Sequence, residues 1–229
     1  MGSTEMVAAA AGSFVASHFL LSHPLRAPLV KMLGTGGFMA FYSLVAFAML
    51  GWTAQAYRAA APTPPFWPVG EGLWALATVV MLCASILLMG SLIGNPSLPG
   101  PPDMPLPDKA RGAFAITRHP MMWSCALWGA AHILVYPVAA NIIVAAAVII
   151  LALGGAALQD IKKAALLPGR WRTWEGRTSF WPFAAIVAGK ARFGGFRPHD
   201  LAGGAIVWLV ATWAHIPLAG LAAGIWRWI

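Results

Sequence analysis

"TRHPMMWSCALWGAAHILVYPVAANIIVAAAVIILALGGAALQ", residues 117–159, decides the fold. Two apolar runs, 120–136 and 139–158, are separated only by Pro137 and its neighbours. About 20 apolar residues in a helix cross about 30 Å of hydrocarbon, so a single kinked helix of about forty residues would overrun one crossing. Proline also interrupts the helical hydrogen-bond ladder. The stretch therefore predicts a helical hairpin with a tight turn at Pro137, embedded in a bilayer.

Composition agrees. Of the 229 residues, 59% are hydrophobic and 10% charged, and the mean hydropathy is +0.72. A soluble domain carries about 25% charged residues. With 15 Lys and Arg and 7 Asp and Glu, the chain has too few charges to keep a globular exterior dissolved. It reads as an all-α integral membrane bundle of about six transmembrane helices, at about 5–22, 37–55, 72–93, 120–136, 139–158 and 201–226, in a single domain over 1–229.

The first run lacks a basic leader, and a second apolar run follows after a short loop, "SHPLRAPLVKMLG" (22–34), so it is expected to remain as a span rather than be cleaved. "GNPSLPGPPDMPLPDKARG" (94–112), dense in Gly and Pro, reads as a surface loop. Cys83 and Cys125 both lie in apolar runs, which argues against a disulfide framework or a thiolate zinc site.

Cationic residues set the orientation. With the N-terminus outside, loops one, three and five hold thirteen Lys and Arg, and only Arg58 and Arg227 remain on the other side. This positive-inside bias predicts periplasmic termini and explains a pI of about 10.2 without nucleic acid. Loop five, about 159–200, mixes cations with Trp171, Trp174, Phe180, Trp181 and Phe183, the composition of a cytoplasmic interfacial segment on anionic lipid. Trp52, Trp67, Trp74, Trp226 and Trp228 fall near span ends, where aromatic belts form.

Six histidines remain to be explained. His23 and His199 fall in loops, His119 at the entrance of a span, and His18, His132 and His215 within spans. Ionisable groups at membrane depth are costly and mark function by default. Neutral imidazole can simply hydrogen-bond between helices, at about 0.6 kcal/mol on average. It is also the usual axial ligand of haem iron, which needs one or two ligands where structural zinc needs four. His119 and His132 are thirteen residues apart, about 19–20 Å along one helix, and cannot share an iron. Depth from the cytoplasmic ends pairs His132 with His215; helix tilt leaves His18 within reach as well.

"RHPMMWSCALWGAAHILV" (118–135), "RTSFWPFAAI" (177–186), "WAHIPLAG" (213–220) and "SHFLLSHPLR" (17–26) resemble the NnrU family and its plant relative, 15-cis-zeta-carotene isomerase, over most of the chain. The resemblance implies a multi-pass protein, in bacteria of the inner (cytoplasmic) membrane, that carries haem b. Its implied activity is a redox-dependent cis–trans isomerisation of a polyene or carotenoid, with a hydrophobic polyene as substrate and a redox partner. It implies His18 and His132 as the axial pair, with His215 as the alternative ligand, and Leu151 stands where the plant enzyme has a further histidine. Arg118 and His119 then become cofactor-binding residues, Arg118 facing a propionate. Met121, Met122, Trp123 and Trp128 would line an apolar slot. Bacterial members of the family are linked to nitric oxide and denitrification, which implies a haem sensor or electron carrier as an alternative.

"GAFAITRHP" (112–120) is also similar to the Arg-His-Pro entrance of isoprenylcysteine and phospholipid methyltransferases, which would make the chain a SAM-dependent membrane methyltransferase. Those enzymes add paired glutamates downstream, whereas Asp160 and Glu175 are fifteen residues apart here.

Overall fold

The computed structural model describes residues 3–98 and 106–229, so the middle of the 94–112 loop lies outside the described residues. Nine α-helices are found among them: α1 (Thr4–Ser22), α2 (Arg26–Ala59), α3 (Glu71–Gly90), α4 (Ala113–Ile116), α5 (Pro120–Val135), α6 (Ala139–Leu166), α7 (Pro168–Arg177), α8 (Ala184–Val187) and α9 (Pro198–Ala219). A 3₁₀ turn at Gly224–Arg227 follows. Five of them, α1, α2, α3, α6 and α9, are long and apolar enough to cross a membrane. The sixth expected span, α5, is apolar but has only 16 residues, about 24 Å of helix. It starts at Pro120, the residue after His119, and stops at the Pro137 turn.

The segment 22–34 differs from the expected loop. Helix α2 begins at Arg26, and the chain departs from helical geometry only at Gly34 (φ 70°, ψ 170°). Pro28 lies in the first turn, where its missing N–H costs no helical bond. A residue without Cβ is what allows the break at Gly34.

The chain folds into two compact units, residues 1–69 with 132–151, and residues 70–131 with 152–229. In the first, Val7 and Ala10 of α1 are fully buried against Trp52 and Ala56 of α2 and Ala140, Ile143 and Val144 of α6. Alanines at such a crossing let helix backbones approach where lipid supplies no hydrophobic drive.

The turn at Pro137 lacks one backbone N–H, and several carbonyls around it take donors from outside α5. Trp67 Nε1 donates to Leu134 O (3.1 Å) and Phe66 N to Pro137 O (2.9 Å). Asn141 Nδ2 donates to both His132 O (2.9 Å) and Tyr136 O (2.7 Å). Trp67 is thus a bonded residue of the turn as well as a span-end aromatic.

In the second unit α3 packs on α9 at glycines. A Cβ on Gly204 would lie 2.7 Å from Ile86 Cα, and one on Gly203 2.9 Å from Met89 Cε. A Cβ on Gly90 would meet that of Ala113 at 2.6 Å, which brings α4 onto the end of α3. Leu87, Ala113 and Ile116 form one buried cluster there with Trp123, Leu127 and Phe196 beside it. Near the C-terminus Trp226 Nε1 donates to Thr212 Oγ1 (3.2 Å), and Arg227 and Trp228 Nε1 both bond Glu71.

Trp171 and Trp174 correct the reading of loop five. They are 1% and 0% exposed, packed with Ala110, Phe114 and Ala115. Their amphipathic helix α7 turns its tryptophans into the protein, while Trp181 and Phe183 remain exposed.

Candidate functional site

The Arg-His-Pro entrance and the Arg-Thr-Ser segment, sixty residues apart in sequence, lie side by side. Arg118 N donates to Ser179 O (2.8 Å), Phe183 N to Ile116 O (2.8 Å), and Thr117 Oγ1 to Phe180 O (2.7 Å). Trp123 Nε1 donates to the same Phe180 carbonyl at 2.9 Å. Phe183 is the one non-glycine residue with positive φ (66°) among the described residues. A bulky side chain in that region is strained, and the bond to Ile116 O holds it there.

This strapping carries Arg118 and His119 to α6. His119, 2% exposed, has Nε2 2.6 Å from Asp160 Oδ1, and Arg118 Nε donates to Asp160 Oδ2 at 2.8 Å. Arg118 Nη2 also reaches Asp160 Oδ2 and lies 3.7 Å from Glu175 Oε1. Rings of Phe180 and Trp171 flank His119, with centroids 5.7 and 6.5 Å away. One carboxylate thus accepts from both basic residues, as a buried charge requires.

Sequence reasoning missed Asp160. It also took Asp160 and Glu175 as distant, yet both reach Arg118. The available signal was a single acid directly following an apolar run.

The histidines expected as ligands fall in different places. His18 and His132 belong to the first unit and His215 to the second. His18 Nδ1 donates to Phe14 O (2.9 Å), and its ring lies edge-on to Phe14 and Tyr42 at 4.4 and 5.5 Å between centroids. His215 Nδ1 donates to Ala211 O (2.8 Å). A carbonyl can only accept, so Nδ1 donates in both rings, and in neutral His18 the lone pair is left on Nε2. Iron-ligating imidazoles are held and oriented in this way. His132 is placed through its backbone, its carbonyl taking Asn141 Nδ2.

Haem takes one or two neutral imidazoles, the donor type that these three histidines offer. Among the described residues no three His, Cys, Asp or Glu side chains gather as a metal cage.

Residues 6–223 match the family model described as NnrU protein. The chain belongs to the NnrU family. No curated protein and no solved structure matches it. The match runs from α1 past the end of α9, so it covers most of both units of this NnrU protein and includes the strapped Arg118–His119–Asp160 group and all three membrane histidines.

Proposed function

We propose that this NnrU-family membrane protein binds haem b through His18 and His132, with His215 as the alternative ligand, and acts as a redox-dependent cis–trans isomerase of a polyene such as zeta-carotene. The observation that supports this best is the His18 imidazole, whose Nδ1–H is given to Phe14 O so that Nε2 keeps its lone pair. When bound, the iron supplies electron exchange with the conjugated chain, which lowers the order of the double bond that must rotate. The protein's own residues orient and shield. Phe14 and Tyr42 fix the His18 ring, Asn141 fixes the end of the helix that carries His132, and the apolar helices exclude water. A redox partner would set the iron's working state.

A second haem reading, a sensor or electron carrier linked to nitric oxide and denitrification, is favoured by Leu151, which replaces the plant enzyme's further histidine. The methyltransferase reading loses its polar entrance, because Arg118 and His119 are bonded to Asp160 inside the protein.

The test is spectroscopic and catalytic together. His132→Ala and His18→Ala should each abolish the low-spin spectrum of the haem-loaded protein, while His215→Ala should preserve it. Reduced wild-type protein in detergent should convert 15-cis-zeta-carotene to its 15-trans form. A normal low-spin spectrum in His132→Ala removes the ligand assignment. Haem without conversion in either redox state leaves the sensor or carrier reading.

A further inference from the structure

A cavity of about 370 Å³ opens in the second unit, and none of Arg118, His119 and Asp160 lines it. It is lined by three cations, Lys109, Arg111 and Arg197, by one acid, Asp108, and by the rings of Phe114 and Trp174. The lining therefore carries an excess of positive charge. Lys109 and Arg111 are exposed and make no ion pair with any described residue.

Arg197 is held differently. Asp200, with no exposed side-chain surface, takes its Nε; Gly90 O takes Nη2 and Ile93 O takes Nη1 at 3.2 Å. Its guanidinium carbon sits 5.8 Å from the Phe114 ring centroid. The plane is thus fixed before any ligand arrives, and Nη1 carries a second N–H beyond the one given to Ile93. A preorganised guanidinium flanked by two exposed cations suits an anion with several oxygens.

Gly112 explains how the wall can be built. At φ +57°, a Cβ there would lie 2.5 Å from Asp200 Oδ2 and 3.2 Å from Arg197 Nε. Only a residue without a side chain lets the 106–112 segment, with Lys109 and Arg111, run against the Arg197–Asp200 pair.

The geometry points to a binding site for a phosphate-bearing ligand at Lys109, Arg111 and Arg197, with the ligand's organic part in the remaining space of the cavity beside Gly94 and Pro107. A cavity of this volume exceeds what a bare phosphate fills and falls in the range of small-molecule sites. The phosphate comes either from a lipid headgroup or from a soluble phosphate ester. The site is independent of haem.

The test uses the full chain in detergent and the double variant Lys109→Gln/Arg111→Gln, which changes two exposed residues and leaves the bonds of Arg197 intact. Calorimetric titration with inorganic pyrophosphate probes the soluble source. Native mass spectrometry after incubation with phosphatidylglycerol probes the lipid source. Wild type should bind at least one of these, and the double variant should bind it about tenfold or more weakly, the loss of two charge-assisted contacts. Pyrophosphate binding lost in the variant assigns a soluble ester; phosphatidylglycerol retention lost in the variant assigns a lipid. Binding of neither probe by wild type, or equal binding by wild type and variant, overturns the site.

Discussion

Asp160→Ala removes the acceptor shared by Arg118 and His119. Three contacts end on this carboxylate, from Arg118 Nε, Arg118 Nη2 and His119 Nε2. After substitution His119 is left buried with Nε2 unsatisfied, and Arg118 retains only Glu175 at 3.7 Å among the described acids. Breaking a buried pair from one side costs about 3–5 kcal/mol, whereas an ordinary hydrogen bond between membrane helices contributes about 0.6 kcal/mol. The two cases differ by about two powers of ten or more in the unfolding equilibrium constant. Unfolding in mixed micelles titrated with SDS, followed by circular dichroism, reads this difference. Asp160→Asn keeps one acceptor oxygen and should lose less, about 1–3 kcal/mol. A double-mutant cycle with Arg118→Ala should give a coupling of about 1–3 kcal/mol. A loss below about 1 kcal/mol in Asp160→Ala, with no coupling, would refute the view that this group locks the two motifs together.

Gly204→Leu places a side chain where even a Cβ lies 2.7 Å from Ile86 Cα, so α3 and α9 must part; a destabilisation of about 1–3 kcal/mol or more is expected in the same titration. Asn141→Leu removes the side-chain donor of the His132 and Tyr136 carbonyls, which keep their backbone donors, and should cost about 0.5–1.5 kcal/mol, again read by SDS titration. A reporter that fluoresces only in the cytosol, fused after Ile229, should stay dark if the thirteen-to-two distribution of Lys and Arg sets the orientation; a bright fusion reverses it.

The break between α5 and α6 was legible because its two causes are local: apolar length and a proline at the boundary. The short α5 was less so, since its start depends on the 116–118 segment bonding to 179–183, a tertiary event. The 22–34 segment looked like a loop because Pro and Gly punctuate it, but Pro28 falls where a helix tolerates it. Trp171 and Trp174 carried a pattern, tryptophan among cations, that suits a lipid surface and a protein groove equally. Only the position of Phe114 and Ala110 decides between them. Asp160 could not be paired from sequence, because its partners are 41 and 42 residues away and meet it only once the two motifs are strapped together. For the histidines, sequence reasoning named the residues, and the structure added the hydrogen bonds that orient the His18 and His215 rings.

The central claim is that this NnrU protein carries haem b, and a pyridine haemochrome assay on the wild-type protein, purified in detergent after expression with haem precursor, tests it most directly. The chain has no C-x-x-C-H for covalent attachment, so the haem should extract fully into acidified organic solvent. About one equivalent of protohaem per chain, with a low-spin spectrum, is the predicted result. Less than about a tenth of an equivalent would contradict it, and the membrane histidines would then be left to hydrogen bonding between helices.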